Sequence, residues 1–158
     1  METQILHEHG FRSYIPLLGK VQDRELLGSL FSQYRPEVVL HAAACKHVPL
    51  LEKNPWEAVY NNIFASHRLI QAAVEHETER FILVSTDKAV RPTNVMGASK
   101  RLTEMLMQAH CRETETRFMA VRFGNVLGSS GSVLPMFRRQ IEKGGPVTVT
   151  HPEMTRYF

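Results

Sequence analysis

Three polar residues that can exchange protons follow an apolar run in the middle of the chain. Thr86, Asp87 and Lys88 come after residues 80–84, a run (RFILV) with the composition of a buried strand. A carboxylic acid beside an amine, both half-buried, is an arrangement that moves pKa values toward neutrality and supports general acid–base catalysis. A solvated ion pair at the end of a strand is the alternative interpretation, and the residues leave both open.

A methionine and a lysine lie four residues apart shortly after this triplet. The pattern of residues 94–113 predicts a helix, and Met96 and Lys100 therefore share one of its faces. A thioether neither donates nor accepts a proton at neutral pH, so Met96 cannot serve as an acid or a base. A plain core methionine is the alternative interpretation.

A second segment with possible chemistry is the run HAAACKH, which follows another short apolar stretch. Small side chains let a ligand approach the backbone closely, and a lysine or histidine can contact a phosphate or a sugar. The residues concerned are Ala42, Ala43, Ala44, Lys46 and His47. Alanines that pack a strand against a helix, with both polar residues in solvent, are an equally open interpretation.

A third segment is rich in glycine and precedes a predicted helix. Gly124, Gly128 and Gly131 are not spaced as in G-x-G-x-x-G. Roughly 20 residues on, where the dinucleotide fingerprint has an acid at a strand end, Glu142 falls within a helix. A helix amino terminus with a Gly/Ser-rich approach still favours a diphosphate. We therefore predict a phosphate site for a substrate here, rather than a dinucleotide site.

Strands and helices alternate along the chain, and this order must position the three segments. The predicted strands are residues 11–18, 37–43, 80–84, 117–123 and 147–150. The predicted helices are residues 3–8, 23–34, 55–74, 94–113 and 132–143. This alternation predicts a parallel sheet with right-handed crossovers and helices on both faces. Ligands of such sheets bind at the carboxyl ends of the strands, where all three segments lie.

Composition excludes several classes of function. The 158 residues suit one domain, and a net charge of +3 from scattered basic residues argues against a nucleic-acid-binding protein. Histidine and cysteine spacing matches no metal site, and the two cysteines suggest reduced thiols. No apolar run reaches the ~18 residues of a membrane helix, and no signal peptide is evident. The chain is predicted to be cytoplasmic.

Four ordered segments resemble a known family. They are HAAACKHVPLLEKNPWEAVYNN, VSTDKAVRPTNVMGASKRLTEML, VRFGNVLGSSGSVLPMFRRQI and GGPVTVTHPEMTRYF. Together they resemble the polysaccharide-biosynthesis (CapD-like) nucleotide-sugar 4,6-dehydratases, a group of extended short-chain dehydrogenases that typically act on UDP-N-acetylglucosamine. The resemblance extends over nearly all of the chain from about Ile15 onward.

The resemblance implies a lyase reaction with a tightly held NAD. The sugar is oxidised at C4, water is eliminated across C5 and C6, and C6 is reduced. Thr86 would then hydrogen-bond the C4 oxygen, Asp87 would protonate the departing C6 hydroxyl, and Lys88 would be the base near C5. Lys100 would bind the nicotinamide ribose. Met96 replaces the tyrosine of the superfamily's Tyr-x-x-x-Lys, as in the large, usually membrane-tethered members, so the base for C4 oxidation must be another group.

The resemblance also implies binding residues and partners. For NAD or NADP these are Ala42, Ala43, Ala44, Lys46, Asn62, Ser85 and Lys100. For the UDP-sugar they are Asn125, Ser129, Ser130 and Arg156. No metal is implied, and self-association is expected through the helices over residues 55–74 and 94–113.

Parts of the family pattern are absent from this chain. The glycine-rich NAD loop, the strands on either side of it and most of the substrate lobe have no counterpart. We therefore expect one partial Rossmann-like domain over residues 1–158, with residues 132–158 beginning the substrate-binding portion. We also expect an exposed apolar edge at residues 37–43 and weak or absent NAD binding, so that the isolated chain is inactive.

Two alternatives to the dehydratase remain. A nucleotide-sugar epimerase of the same superfamily is the first, and Asp87 with Lys88 discriminates against it because epimerisation at C4 needs no acid at C6. A non-catalytic remnant that acts only in binding or association is the second.

Overall fold

The computed structural model describes residues 14–112, 114–128, 133–149, 151–153 and 155. Its helices are α1 (Arg24–Tyr34), α2 (Val48–Lys53), α3 (Pro55–Ala58), α4 (Ala65–Glu75), α5 (Val95–His110) and α6 (Val133–Glu142). Its strands are β1 (Val38–His41), β2 (Arg80–Thr86) and β3 (Arg117–Phe123). A π-helical turn, Val59–Phe64, joins α3 to α4, and a 3₁₀ turn, Asp87–Ala89, follows β2. Within these ranges no helix is both long enough and apolar enough to cross a bilayer.

The strands of the described residues form a parallel sheet in the order β1-β2-β3. Val38 pairs with Arg80 at one end of the sheet, and Thr86 pairs with Phe123 at the other. This arrangement confirms the predicted α/β class with a parallel sheet. Because the strands are parallel, the polar segments that follow them meet at the same edge.

One face of the sheet carries the core. Helices α1, α4 and α5 lie against it, and their apolar side chains contact alternate residues of the strands. The buried members of this cluster are Leu27, Phe31, Val39, Leu69, Ile70, Ala72, Ala73, Phe81, Leu83 and Met107. Burial of each large apolar side chain stabilises the fold by about 1.5–3 kcal/mol. This face of the sheet therefore holds in place the helices on which the site depends.

The other face of the sheet is apolar and open in the described residues. Leu40 is 70% exposed, and Val38, Met119, Val121 and Phe123 are exposed as well. β1 is an outer strand of this sheet, hydrogen-bonded on one side to β2. The apolar edge predicted at residues 37–43 is therefore present in the described part of the chain.

Local signals begin α1 and α5 where the sequence predicts. Asp23 Oδ1 accepts the Leu26 amide at 3.0 Å and caps α1. Asn94 Oδ1 accepts the Gly97 amide at 2.8 Å and caps α5, and Glu52 Oε1 accepts the Val95 amide at 2.6 Å. Two side chains thus satisfy the first free amides of the helix that carries Lys100.

Two predicted strands are not found. Residues 14–18 are exposed and irregular, since no described strand offers them backbone partners, and residues 11–13 lie outside the described ranges. Residues 147–149 are irregular as well, because the Gln140 side chain binds Thr148 in place of a neighbouring strand. Gln140 Oε1 accepts the Thr148 amide at 3.1 Å, and Gln140 Nε2 donates to Thr148 Oγ1 at 2.8 Å. Thr150 and the predicted helix at 3–8 lie outside the described residues.

The long helix predicted over residues 55–74 is present but not uniform. Its first turn is α3, its middle is the π-helical turn, and its second half is α4. Pro55 begins it, as predicted, because the first helical position needs no amide donor. The π-helical turn contains Asn62, whose amide makes the contacts described below. Such turns are frequent at functional sites.

Candidate active site

The candidate site lies at the carboxyl edge of the sheet. It is built from the loop after β1, the 3₁₀ turn after β2, and the first residues after β3. A Cβ placed on Gly124 would lie 3.6 Å from Asp87 Oδ2, so the segments after β2 and β3 are in contact. The structure therefore brings the predicted acid–base residues and the start of the predicted phosphate loop to one place.

Thr86, Asp87 and Lys88 form one hydrogen-bonded group. The Thr86 hydroxyl donates to Asp87 Oδ1 at 3.0 Å, and Lys88 Nζ donates to the same oxygen at 3.0 Å. The Lys88 amide donates to Thr86 Oγ1 at 3.4 Å. The Asp87 and Lys88 side chains remain 53% and 37% exposed, so a ligand at this edge can reach both.

The pKa of Asp87 differs from the expectation drawn from the sequence. Burial is the largest single influence and raises it, but hydrogen bonds from Lys88 and Thr86 and the charge of Lys88 together outweigh burial, so the pKa lies below its usual range. A shift toward neutrality was expected for this carboxyl, and that expectation is wrong for the protein without ligand. The physical reason is that several hydrogen bonds and the charge of Lys88 all favour the carboxylate, and their sum exceeds the effect of desolvation.

Lys100 and Met96 are both buried on α5. Lys100 is 6% exposed, and burial lowers its pKa to about 8, although the charge of Glu104 acts in the opposite direction. Within the described part of the chain its ammonium has no hydrogen-bond or ion-pair partner. Met96 packs with Leu51 and Ala58 in a small apolar cluster. A thioether there fills space, and Lys100 has no phenol on its helix face.

Gly97 lets α5 approach the 3₁₀ turn. A Cβ at this position would clash with the carbonyl oxygen of Lys88, and that atom belongs to the backbone. The absent side chain therefore sets how closely the Asp87–Lys88 pair approaches the helix that carries Lys100. Sequence reasoning did not identify this glycine, although its position next to Met96 in a helix was a signal.

Asn62 is buried, and its side chain binds protein groups. Its Oδ1 accepts the Cys45 amide at 2.7 Å, and its Nδ2 donates to the Cys45 carbonyl at 3.0 Å and to Ser99 Oγ at 2.9 Å. It thereby fixes the loop after β1 against α5. Ala42, Ala43, Ala44 and Lys46 of that loop are exposed. The predicted role of Asn62 toward a cofactor would be exerted through the loop that it holds.

His41 is a residue of the site that sequence reasoning passed over. The Ser66 hydroxyl donates to the Asn62 carbonyl at 2.6 Å, so His41 Nε2, 2.7 Å from that hydroxyl, carries its hydrogen and donates. Burial and the charge of Lys100 lower the pKa of His41 to about 4. A neutral histidine thus links the end of β1 to Ser66 on α4, and Ser66 in turn binds the π-helical turn. A histidine on the core side of a strand was the available signal.

A buried carboxylate, Glu104, joins three elements and was also missed. Its Oε1 accepts Ser85 Oγ at 2.6 Å and Arg122 Nε at 2.9 Å, and its Oε2 accepts Arg122 Nη2 at 2.6 Å and Arg101 Nη1 at 3.1 Å. Burial raises the pKa of Glu104, but these hydrogen bonds and the charge of Arg122 lower it to about 2. Ser85 is predicted to bind the cofactor, but in this structure its hydroxyl donates its hydrogen to Glu104.

The predicted substrate residues are described only in part. Asn125 is half-buried directly after Gly124. Ser129, Ser130 and Arg156 lie outside the described residues. Among the residues that are described, no three histidine, cysteine or acidic side chains are grouped closely enough to hold a metal ion.

Comparison with known proteins places these residues in context. Residues 1–158 match a family described as "Polysaccharide biosynthesis protein". A Bacillus subtilis protein named "Probable polysaccharide biosynthesis protein EpsC" is 59% identical over 89% of this chain and 24% of its own length. The "Capsular polysaccharide biosynthesis protein CapD" of Staphylococcus aureus is 53% identical over 92% of this chain and 24% of its own length. The chain thus spans about a quarter of these relatives.

The chain is also similar to a protein named as an epimerase and to several solved structures. A "UDP-glucose 4-epimerase" of Rickettsia canadensis is 44% identical over 77% of this chain and 37% of its own length. The crystal structure of Pen from Bacillus thuringiensis is 36% identical, with a TM-score of 0.88 over 99% of this chain and 50% of that one. A dTDP-glucose 4,6-dehydratase from Streptomyces venezuelae, solved with NAD, is 21% identical, with a TM-score of 0.75 over 82% of this chain and 45% of that one. That last similarity shows the Rossmann-like fold.

Proposed function

Because the chain belongs to the polysaccharide biosynthesis protein family, we propose that it carries the catalytic core of a 4,6-dehydratase acting on UDP-N-acetylglucosamine. The observation that supports this reaction best is the Thr86–Asp87–Lys88 group at the end of β2, with both charged side chains accessible. Elimination of water from a sugar requires a base at one carbon and an acid at the neighbouring hydroxyl. An adjacent lysine and aspartate supply both.

The Asp87–Lys88 ion pair can provide both the base and the acid that elimination needs. Lys88 Nζ and Asp87 Oδ1 are 3.0 Å apart, so one proton shift between them produces a neutral amine and a protonated carboxyl. The amine then takes the C5 proton, and the carboxyl gives its proton to the departing C6 hydroxyl. The products are an ammonium and a carboxylate, which is the ion pair again. Entry of a sugar would displace water from this pair and favour its neutral form.

The remaining residues would act around this pair. The Thr86 hydroxyl, at the end of β2, would hydrogen-bond the C4 oxygen. Hydride transfer from C4 and back to C6 is the chemistry that a bound NAD would supply. The exposed loop at Ala42–Ala44 offers backbone without bulky side chains, and Lys100 offers a buried ammonium without a partner in the described residues. These features fit a cofactor with hydroxyl and phosphate groups.

A segment exchange tests this proposal. The matching segment of the 59% identical B. subtilis relative would be replaced by this chain's residues, because the relative supplies the rest of its own length. Incubation with UDP-N-acetylglucosamine and NAD should give a 4-keto-6-deoxy sugar nucleotide, identified by NMR. The unaltered relative is the control, and Asp87→Asn in the exchanged segment should stop elimination. A fully active exchanged protein that carries Asp87→Asn would contradict the proposal.

UDP-sugar 4-epimerisation is the second candidate, favoured by the 44% identical relative. It requires oxidation and reduction at C4 alone, so it makes no use of an acid at C6. In the same experiment a C4 epimer without loss of the C6 hydroxyl would identify this activity. Asp87→Asn would then leave turnover nearly unchanged.

We further propose that the protein self-associates through α3–α4 and α5. Trp56 on α3 and Tyr60 and Phe64 in the π-helical turn recur every four residues and are 79%, 52% and 51% exposed. Leu102 and Met105 are exposed on α5. Exposed large apolar side chains at regular spacing are typical of an interface. Light scattering should show a dimer or larger species, and Phe64→Glu should shift it toward the monomer, whereas a monomeric wild type would contradict this proposal.

A further inference from the structure

We propose that Glu104 is a positioning residue for Lys100: it binds the ends of β2 and β3 to the helix that carries Lys100, and it places a negative charge one helical turn from the buried ammonium. The proposal rests on the proposed function only in giving Lys100 its role at the cofactor ribose. The physical relation between the two side chains can be tested without any ligand.

The geometry fixes the Glu104 carboxylate from three directions. Arg122 on β3 donates to both oxygens, which is the two-pronged contact that a guanidinium makes best. Ser85 on β2 donates to one oxygen, and Arg101 on α5 donates to the other. Since Glu104 is only 2% exposed, its carboxylate has little freedom to turn toward solvent.

Lys100 lies one turn before Glu104 on α5. Residues four apart on a helix are neighbours, and both side chains here are buried. Burial favours a neutral lysine, and the attraction of Glu104 acts against it. A buried lysine kept charged in this way can hold an oxygen-rich ligand, whereas a neutral one binds it more weakly.

The other titratable groups around Lys100 do not supply this charge. His41 on β1 is neutral above pH about 4. Arg122 is positive and engaged with Glu104. Asp87 and Lys88, on the turn after β2, form an exposed ion pair with each other. Among the described residues, Glu104 is the group whose charge raises the pKa of Lys100.

The decisive experiment compares the pKa of Lys100 in three proteins by NMR of ¹³C-methylated lysines, with Lys100→Arg to assign the signal. The wild type should titrate near pH 8. Glu104→Gln, which keeps size and hydrogen-bonding oxygen but loses charge, should lower the pKa by about one unit. Arg122→Gln should raise it, because the negative charge is then less neutralised. Asp87→Asn, at an exposed carboxyl nearby, should leave it almost unchanged.

A merely structural role for Glu104 gives a different pattern. Loosening of the site would hydrate Lys100 and move its pKa upward, toward 10.5, in both Glu104→Gln and Arg122→Gln. An upward shift in Glu104→Gln, or no shift, overturns the proposal. If Glu104→Gln does not fold, Arg122→Gln decides together with amide hydrogen exchange in α5, since the Arg122 side chain is partly exposed. A higher pKa of Lys100 with wild-type exchange supports the proposal, whereas an unchanged or lower pKa, or a higher pKa with faster exchange, overturns it. Because no sugar or cofactor is present, these outcomes are independent of whether the dehydratase assay succeeds.

Discussion

Two carboxylates at the same edge of the sheet face different surroundings. Asp87, on the turn after β2, shares one exposed oxygen with Lys88 and Thr86. Glu104, on α5, is almost wholly buried and accepts four hydrogen bonds. Both have a lowered pKa, but solvent reaches both partners of the Asp87–Lys88 pair, whereas in the Glu104–Arg122 pair it reaches Arg122 and hardly reaches the carboxylate. The difference separates a group free to exchange protons from one that holds the site in place.

The largest effect should follow removal of the buried carboxylate. Glu104→Ala leaves the Ser85 hydroxyl and part of the Arg122 guanidinium without an acceptor, and we expect a loss of about 2–3 kcal/mol in the free energy of unfolding. Urea denaturation followed by circular dichroism measures it. Glu25→Gln, at an exposed acid on α1, is the control and should change little. A loss below that of the control would show that the network does not stabilise the fold.

Gly97→Ala should break the contact between the turn that carries Asp87 and the helix α5 that carries Glu104. The added methyl group meets the Lys88 carbonyl, which is backbone and cannot rotate away, so we expect a loss of about 1–3 kcal/mol. The turn that carries Asp87 should also move away from α5. Urea denaturation gives the first effect, and amide chemical shifts of residues 86–89 give the second. Gly28→Ala is a matched control, because a Cβ there meets nothing within 4 Å on α1.

Acid should destabilise the protein in two successive, slightly overlapping pH windows. His41 has a pKa of about 4 against an ordinary 6.5, so the unfolded chain takes up its proton first and stability falls as the pH drops from 6.5 to 4. Glu104 has a pKa of about 2 against an ordinary 4.5, so its contribution is present above pH 4.5 and lost toward pH 2. Denaturant midpoints measured against pH should lose the upper window in His41→Gln and the lower one in Glu104→Gln. If both variants kept the wild-type curve, neither group would be linked to folding.

The smallest effect on stability should come from Asp87→Asn. An exposed ion pair contributes about 0–1 kcal/mol, so the denaturation curve should nearly coincide with that of the wild type. The same substitution should abolish elimination in the segment-exchange assay under the proposed function. A large loss of stability would mean that Asp87 is a structural residue, and the contrast with Glu104 would disappear.

The exposed group formed by Thr86, Asp87 and Lys88 was easier to predict than the buried hydrogen bonds of Glu104. Thr86, Asp87 and Lys88 are consecutive, and the apolar run before them identifies the end of a strand. Their hydrogen bonds span one or two positions, so the local order of residues nearly determines them. The direction of the Asp87 pKa shift was nevertheless predicted wrongly, because it depends on the balance between desolvation and the hydrogen bonds and charge that favour the carboxylate.

The hydrogen bonds of Glu104 were not predicted because the residues that make them are distant in sequence. Ser85 is 19 residues from Glu104, and Arg122 is 18 residues beyond it. Which strand residue faces the helix depends on the sheet register, in which Ser85 pairs with Arg122. A glutamate on the buried face of a helix, one turn after Lys100, was a signal that the sequence contained.

The sequence by itself determined the order of β1, β2 and β3, the parallel sheet and the position of the polar segments at the strand ends. These follow from hydrophobic periodicity and capping residues, which act over a few positions. Only the tertiary structure decided that Asn62 holds the loop after β1, that Glu104 lies next to the end of each of two strands, and that Asp87 stays in solvent. Burial and long-range contacts set these properties, and neither is a property of any short stretch of residues.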